Sequence, residues 1–231
     1  MTSLKHDGGQ LSVNAEALSC IFANAVETVR AVDEVSLAAR AGDFLLITGA
    51  SGSGKSTLLS LLSGIREPDG GSLEIAGVQL VGLSDQARSN TRLHSIGVVF
   101  QDNNLIEEFT AAENVSFPLE LMGWQSGVAA EVGDWLERVG LSGLEDRLPS
   151  ELSGGQRQRV GIARALVGSR TVLMADEPTG ALDSANSCAL YQLLRNLADD
   201  GATVVMASHD PAAHAYATRH LTMKDGRVCE A

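Results

Sequence analysis

No apolar run in this sequence approaches the roughly 20 residues that a bilayer-spanning helix needs, and residues 1–14 lack the apolar centre of a secretion signal. Cysteine is sparse as well. Cys20, Cys188 and Cys229 lie far apart, with no Cys-x-x-Cys pair and no neighbouring histidine pair, so neither a zinc site nor a redox motif is supported. Free thiols and the missing leader suit the cytosol, and a cytoplasmic protein is expected. Positive charge is also short: 17 Lys and Arg stand against 29 Asp and Glu, for a net charge of −12. Holding a nucleic-acid backbone requires clustered cations, so nucleic acid is not expected as a partner. Aromatic residues make up only 4% and there are 5 prolines, which leaves Leu, Val, Ile and Ala to build the core.

What is present suffices for a folded chain. Its 231 residues are 44% hydrophobic and 20% charged, near the globular average and enough for one or two domains. No internal repeat, heptad run or low-complexity tract is visible. Residues 1–14, polar and glycine-bearing, read as a flexible tail. Short apolar runs at 44–48, 72–75, 96–100, 171–175 and 203–207 read as strands, and stretches at 57–63, 111–122, 128–139, 156–167 and 185–197 read as helices. Residues 102–168 form a helical insertion in this reading, and Asp225-Gly226 turns a closing hairpin. Alternating strands and helices imply an α/β fold with a mainly parallel sheet, which binds ligands at the carboxyl ends of its strands.

Gly49-Ala50-Ser51-Gly52-Ser53-Gly54-Lys55-Ser56-Thr57 lies between a strand and a helix, the context in which GxxxxGK[ST] cradles phosphates. The glycines let the backbone curl around a phosphate chain, whose charge meets amide N–H groups and a helix N-terminus. Lys55 is placed to reach the β- and γ-phosphates of ATP, Ser56 to ligate Mg²⁺, and Thr57 to hold the α-phosphate. Asp176 and Glu177 stand together at the carboxyl end of the 171–175 strand. Asp176 is the natural partner of Mg²⁺, and Glu177 can orient and deprotonate the attacking water.

Leu152-Ser153-Gly154-Gly155-Gln156 has the spacing of a capping box: Ser153 and Gln156 frame a helix start with bare glycine amides beside it. This is a second anion-binding helix end. One nucleotide does not need two such ends in one protomer, so a second copy of the chain is implied, the Ser153 edge of each closing over the ATP of the other.

Taken in order, the phosphate loop, Gln101 after a strand, Leu152 to Gln156, Asp176-Glu177, Ala181-Leu182-Asp183 and Ser208-His209-Asp210 resemble the ATP-binding-cassette ATPases, from about Ala17 to the end. Asn103-Asn104-Leu105-Ile106, Ala112-Glu113-Asn114-Val115, Pro118-Leu119 and Asp176-Glu-Pro-Thr-Gly-Ala-Leu-Asp183 resemble the lipoprotein-release, macrolide-export and cell-division subgroup. The resemblance implies a P-loop NTPase fold in one domain, 15–231. Its core and antiparallel β part occupy 15–101 and 169–231, and a helical subdomain occupies 102–168. It also implies roles for single residues. Gln101 would sense Mg²⁺ and the attacking water, His209 would contact the γ-phosphate and steady Glu177, Asp183 would organise the dimer seam, and Phe22 would stack on adenine.

The implied activity is ATP hydrolysis by a head-to-tail homodimer around two ATP·Mg²⁺, driving an integral membrane permease and held by it at the inner face of the membrane. Alternatives are a cell-division ATPase that acts on cell-wall hydrolysis through a membrane partner, and a soluble cassette acting on DNA or ribosomes. Glu107-Glu108-Phe109 place two carboxylates after Gln101, where relatives are often more apolar, near the expected docking groove.

Overall fold

The computed structural model describes residues 11–23, 28–168 and 170–230. In chain order its first half runs β1 (Leu11–Ala23), β2 (Thr28–Arg40), β3 (Phe44–Thr48), α1 (Lys55–Leu62), β4 (Gly70–Ile75), β5 (Val78–Gln79), α2 (Asp85–Ser95) and β6 (Ile96–Val99). The second half runs α3 (Ala111–Leu121), α4 (Val128–Arg138), α5 (Gly154–Leu166), β7 (Val172–Asp176), α6 (Ser184–Asp199), β8 (Thr203–Ala207), β9 (Arg219–Lys224) and β10 (Arg227–Glu230).

The central sheet has the order β10-β9-β3-β8-β7-β6. All neighbours in it are parallel except the β9-β10 hairpin. Strands buried on both faces read as unbroken apolar runs, and Phe44–Thr48, Val172–Asp176 and Thr203–Ala207 do so because helices or a second sheet cover each side. That second sheet, ordered β2-β1-β4-β5, is antiparallel throughout. Its inward side chains, among them Val13, Leu18, Val32 and Ile75, form one core with α1 and one face of the central sheet. On the opposite face Phe44, Leu46, Val204 and Met206 join Val115, Leu119, Trp135 and Leu136 of the helical region and Tyr191 of α6 in a second continuous core.

The structure departs from the expected elements in two places. Residues 11–14, expected within a flexible tail, belong to β1, which begins at Leu11 with Val13 fully buried, because Val13 and Ala15 pair across to β2 and β4; residues 1–10 lie outside the described part. Residues 85–95 form a helix, capped by Ser84, which the sequence hides because only Arg88 on it is buried. The helices within 102–168 are where the periodicity puts them, yet their core is continuous with that of the sheet. At the closest point Gly97 of β6 abuts α5, where a Cβ would come within 2.1 Å of the Ala165 carbonyl oxygen.

Among the described residues no helix is long and apolar enough to cross a membrane. Cys20 is buried, Cys188 half-buried and Cys229 exposed, all as free thiols.

Candidate nucleotide site

The turn between β3 and α1 is drawn tight by backbone crowding. Gly49 has φ 149° and Gly54 φ 104°, and a Cβ on either would strike a carbonyl oxygen, that of Met223 at 2.2 Å or that of Ala31 at 2.1 Å. Only glycine satisfies both the dihedral and the space. Around this turn lies a cavity of about 590 Å³, lined by Gly49, Ser51, Gly52, Gly54, Lys55, Ser56 and Thr57 and, from across the sheet, by Glu177 and His209. Ala31 completes the wall from β2. Nothing in the sequence singles out Ala31, which contributes through its position on the strand.

Lys55 is largely buried, and its Nζ donates to the carbonyls of Gly49 at 2.8 Å and Ala50 at 3.1 Å. An ammonium has three donors, so these two bonds hold it over the turn and leave one for a phosphate. Ser53 does not line the cavity. It faces inward beneath the turn, its Oγ buried without a hydrogen-bond partner, and its carbonyl accepts from Gly226 N at 3.1 Å.

Asp176 ends β7 beside this turn. Burial raises its carboxyl above the usual carboxylate range and Glu177 adds to the rise, while the neighbouring Ser56 hydroxyl and Lys55 ammonium oppose it. Its Oδ1 is buried with no hydrogen-bond partner. A buried acceptor left open next to a hydroxyl fits a small hard cation, and Mg²⁺ ordinarily takes only one or two protein oxygens and completes its shell with water and phosphate. Ser56 and Asp176 therefore suit Mg²⁺, and among the described residues no cluster of three or more His, Cys, Asp or Glu offers a richer site.

Glu177 follows with φ 46°, a left-handed conformation that costs a non-glycine residue about 1–3 kcal/mol. Its amide donates to the Ala207 carbonyl of β8 at 2.9 Å, and the turned backbone points the carboxylate into the cavity. His209, in the loop after β8, brings Nδ1 to 2.9 Å from Glu177 Oε2, and its backbone N lies 3.4 Å from the same oxygen.

The Leu152 to Gln156 segment forms a capping box. Ser153 Oγ accepts from Gln156 N at 3.2 Å, and Gln156 Oε1 accepts from Ser153 N at 2.8 Å. Neither these two residues nor Gly154 and Gly155 line the cavity of their own protomer. Gly155 packs against Asn186, whose amide and side chain are held by Asp183, the N-cap of α6, at 2.9 and 2.8 Å. The bonds from Asn186 hold the Asp183 carboxyl below its ordinary value. The Ser153 and Asp183 helix starts thus form one surface, separate from the cavity.

The family model described as ABC transporter matches residues 32–180. This chain belongs to the ABC transporter family. Among its relatives is the macrolide export ATP-binding/permease protein MacB of Chlorobium luteolum, 42% identical over 87% of this chain and 30% of that protein. Another is the lipoprotein-releasing system ATP-binding protein LolD of Shewanella oneidensis, 40% identical over 93% of this chain and 94% of that protein. The chain spans about a third of the length of the MacB relatives it matches. Among solved structures it resembles the ATP-binding cassette MJ0796, in a dimeric post-hydrolysis state bound to ADP and Pi, with 36% identity, a TM-score of 0.85 and coverage of 94% of this chain and 96% of that one. The fold is that of the ABC ATPase cassettes.

Like Asp183, two more residues suggested by the ABC resemblance stand away from the cavity. Gln101 is exposed and rests on Gly180, where a Cβ would meet its Nε2 at 2.9 Å. The turn it opens is fixed instead by Arg164 of α5, which donates to the carbonyls of Asn104 at 2.7 Å and Asn103 at 2.8 Å. Burial lowers the pKa of this guanidinium. Phe22 is 42% exposed on β1, so it is not a core residue, and the Arg66 guanidinium covers its ring at 4.1 Å from the centroid. Neither Arg66 nor Arg164 falls in a motif, so no spacing marks them in the sequence.

Proposed function

We propose that this chain binds ATP·Mg²⁺ in the 590 Å³ cavity and hydrolyses it as one half of a head-to-tail homodimer that drives a membrane permease. The observation that carries the reading is Glu177: its left-handed backbone aims a carboxylate into the cavity lined by Lys55, with His209 2.9 Å away. In this reading the glycine-rich amides and Lys55 hold the β- and γ-phosphates. Glu177 orients the attacking water and takes its proton, and His209 keeps the carboxylate facing the γ-phosphate. Mg²⁺, when bound by Ser56 and Asp176, offsets phosphate charge that builds during transfer. Gln101 would approach this water when its turn moves.

Separation of the two surfaces supports dimerisation. Ser153, Gly154, Gly155, Gln156 and Asp183 lie outside the cavity of their own protomer, and a second copy would set them over the γ-phosphate. ATP then favours the closed pair, and loss of the γ-phosphate releases it. Phe22 would hold adenine. The permease is supported by the names of the relatives, which couple ATP binding to a permease or to lipoprotein release, and by a groove of about 450 Å³ between α2 and the end of α3, with Ile65 and Leu121 exposed along it. Through that partner the chain would sit at the inner face of the membrane.

The test is to capture Glu177→Gln protein from membranes with ATP and Mg²⁺ and to identify its companion. A polytopic permease supports the reading. A soluble nucleoprotein without a membrane partner overturns the permease, and a wild-type chain without ATP turnover overturns the enzyme.

A further inference from the structure

Tyr191 of α6 is fully buried, and its hydroxyl reaches side chains of two different loops, with Ser208 beside it as well. It lies 2.7 Å from Thr179 Oγ1 and 2.9 Å from Asp210 Oδ2. A phenol has a single proton, and the Asp210 carboxylate can only accept, so the bonds run in one direction: Thr179 donates to Tyr191, and Tyr191 donates to Asp210. Burial pushes the phenol up to about 12, which keeps it protonated and able to donate.

The two loops joined in this way carry the two groups of the cavity. Thr179 lies in the turn that starts at Glu177, where Gly180 N donates to the Glu177 carbonyl at 3.1 Å and Leu182 N to the Thr179 carbonyl at 2.9 Å. Asp210 follows His209 directly, and its Oδ1 accepts from Ala212 N at 2.9 Å, which ties down the start of the next turn. The starts of both loops are pinned to the sheet, Glu177 N on the Ala207 carbonyl and Ser208 N on the Ile47 carbonyl at 3.1 Å; beyond those bonds, where the Glu177 backbone is strained and the His209 ring is 75% accessible, the Tyr191 hydroxyl is a side-chain bridge between the two. Tyr216 packs against the Tyr191 ring with centroids 5.6 Å apart, so the phenol itself is held.

We propose that Tyr191 is a positioning residue for the hydrolytic step: through the chain Thr179, Tyr191, Asp210 its hydroxyl sets the Glu177 loop and the His209 loop at one separation. Tyr191 touches neither nucleotide nor water. Because it stands on α6, whose first turn is capped by Asp183, the same helix connects the proposed dimer seam to both loops. The inference rests on the ATPase reading above, and its test separates the two.

Tyr191→Phe retains the ring and its packing and removes only the bridging oxygen. In the full chain kcat for ATP should fall about 5- to 20-fold, while KM and directly measured ATP affinity stay within about twofold and the thermal midpoint stays well above the assay temperature. Thr179→Val should lower kcat in the same way, and the double variant should be no slower than Tyr191→Phe alone, since both cut one chain. Wild-type kcat in Tyr191→Phe, or fully multiplicative losses in the double variant, overturns the positioning role and leaves the ATPase reading standing. Equal loss of ATP affinity and kcat also overturns it, since that is the mark of a structural role. A wild-type chain with no turnover at saturating ATP·Mg²⁺ overturns the ATPase reading, and the inference with it.

Discussion

His209 Nδ1 lies 2.9 Å from Glu177 Oε2, and the two residues come from loops that follow adjacent parallel strands, β8 and β7. The pair exists because both loops leave the carboxyl ends of their strands, the side of the sheet from which the glycine-rich turn between β3 and α1 also leaves. Replacing Glu177 by Gln keeps the shape and removes the proposed base. Turnover should drop about 10²- to 10⁴-fold while ATP affinity is retained, and size exclusion with ATP and Mg²⁺ should show a stable dimer. A monomer with normal turnover would contradict the assignment.

Separation of the Ser153 surface from the cavity makes a prediction about mixed dimers. Ser153→Arg in one protomer should leave that protomer's own phosphate turn intact and disable the site of its partner. Pairing it with a Lys55→Ala protomer concentrates both lesions in one of the two sites and leaves the other complete. Such pairs should therefore retain about half of the wild-type rate if the two sites turn over independently, whereas Ser153→Arg homodimers should be inactive. Full activity in the Ser153→Arg homodimer would rule out the shared site.

Two glycines should respond in opposite directions. An alanine at Gly97 would drive its Cβ to 2.1 Å from the Ala165 carbonyl oxygen, a clash with main chain that no rotamer relieves. Gly97→Ala should cost about 3 kcal/mol and lower the melting midpoint by roughly 5–10 °C. Gly133 lies inside α4 with open space where a Cβ would go, so Gly133→Ala should add about 0.5–1 kcal/mol. Thermal unfolding of both variants measures the contrast.

Phe22 is 42% exposed with the Arg66 guanidinium over its ring, and the ABC resemblance makes it the residue proposed to stack on adenine. Phe22→Ala should weaken ATP binding by about 1–3 kcal/mol and leave inorganic tripolyphosphate binding unchanged, because only ATP carries a base to stack. Equal losses for both ligands would move Phe22 out of the nucleotide site.

Much of this architecture was legible in the residues. The phosphate turn, the Asp176-Glu177 strand end and the Ser153-Gln156 box announce themselves through spacing, and the buried strands through unbroken apolar runs. The helix at 85–95 was not, since a helix lying on the surface with one buried residue leaves no apolar stripe to read. Tyr191 sits where the helical period of 185–197 asks for any bulky apolar side chain, so its hydroxyl is silent until Thr179 and Asp210 are seen on either side. Arg164 is silent for the same reason: its partners are backbone carbonyls 60 residues away, and carbonyls leave no trace in a sequence.

Helix α5 starts at the Ser153 cap, and its last turn carries Arg164, clamped to the Asn103 and Asn104 carbonyls; its 13 residues make a rod roughly 20 Å long with no proline or other break. One rigid element thus joins the 103–104 turn to the Ser153 cap, and it is seated along its length against β6 and α3 rather than free to pivot. The cap proposed to face a second copy's nucleotide and the turn that follows Gln101 are therefore the two ends of a single beam.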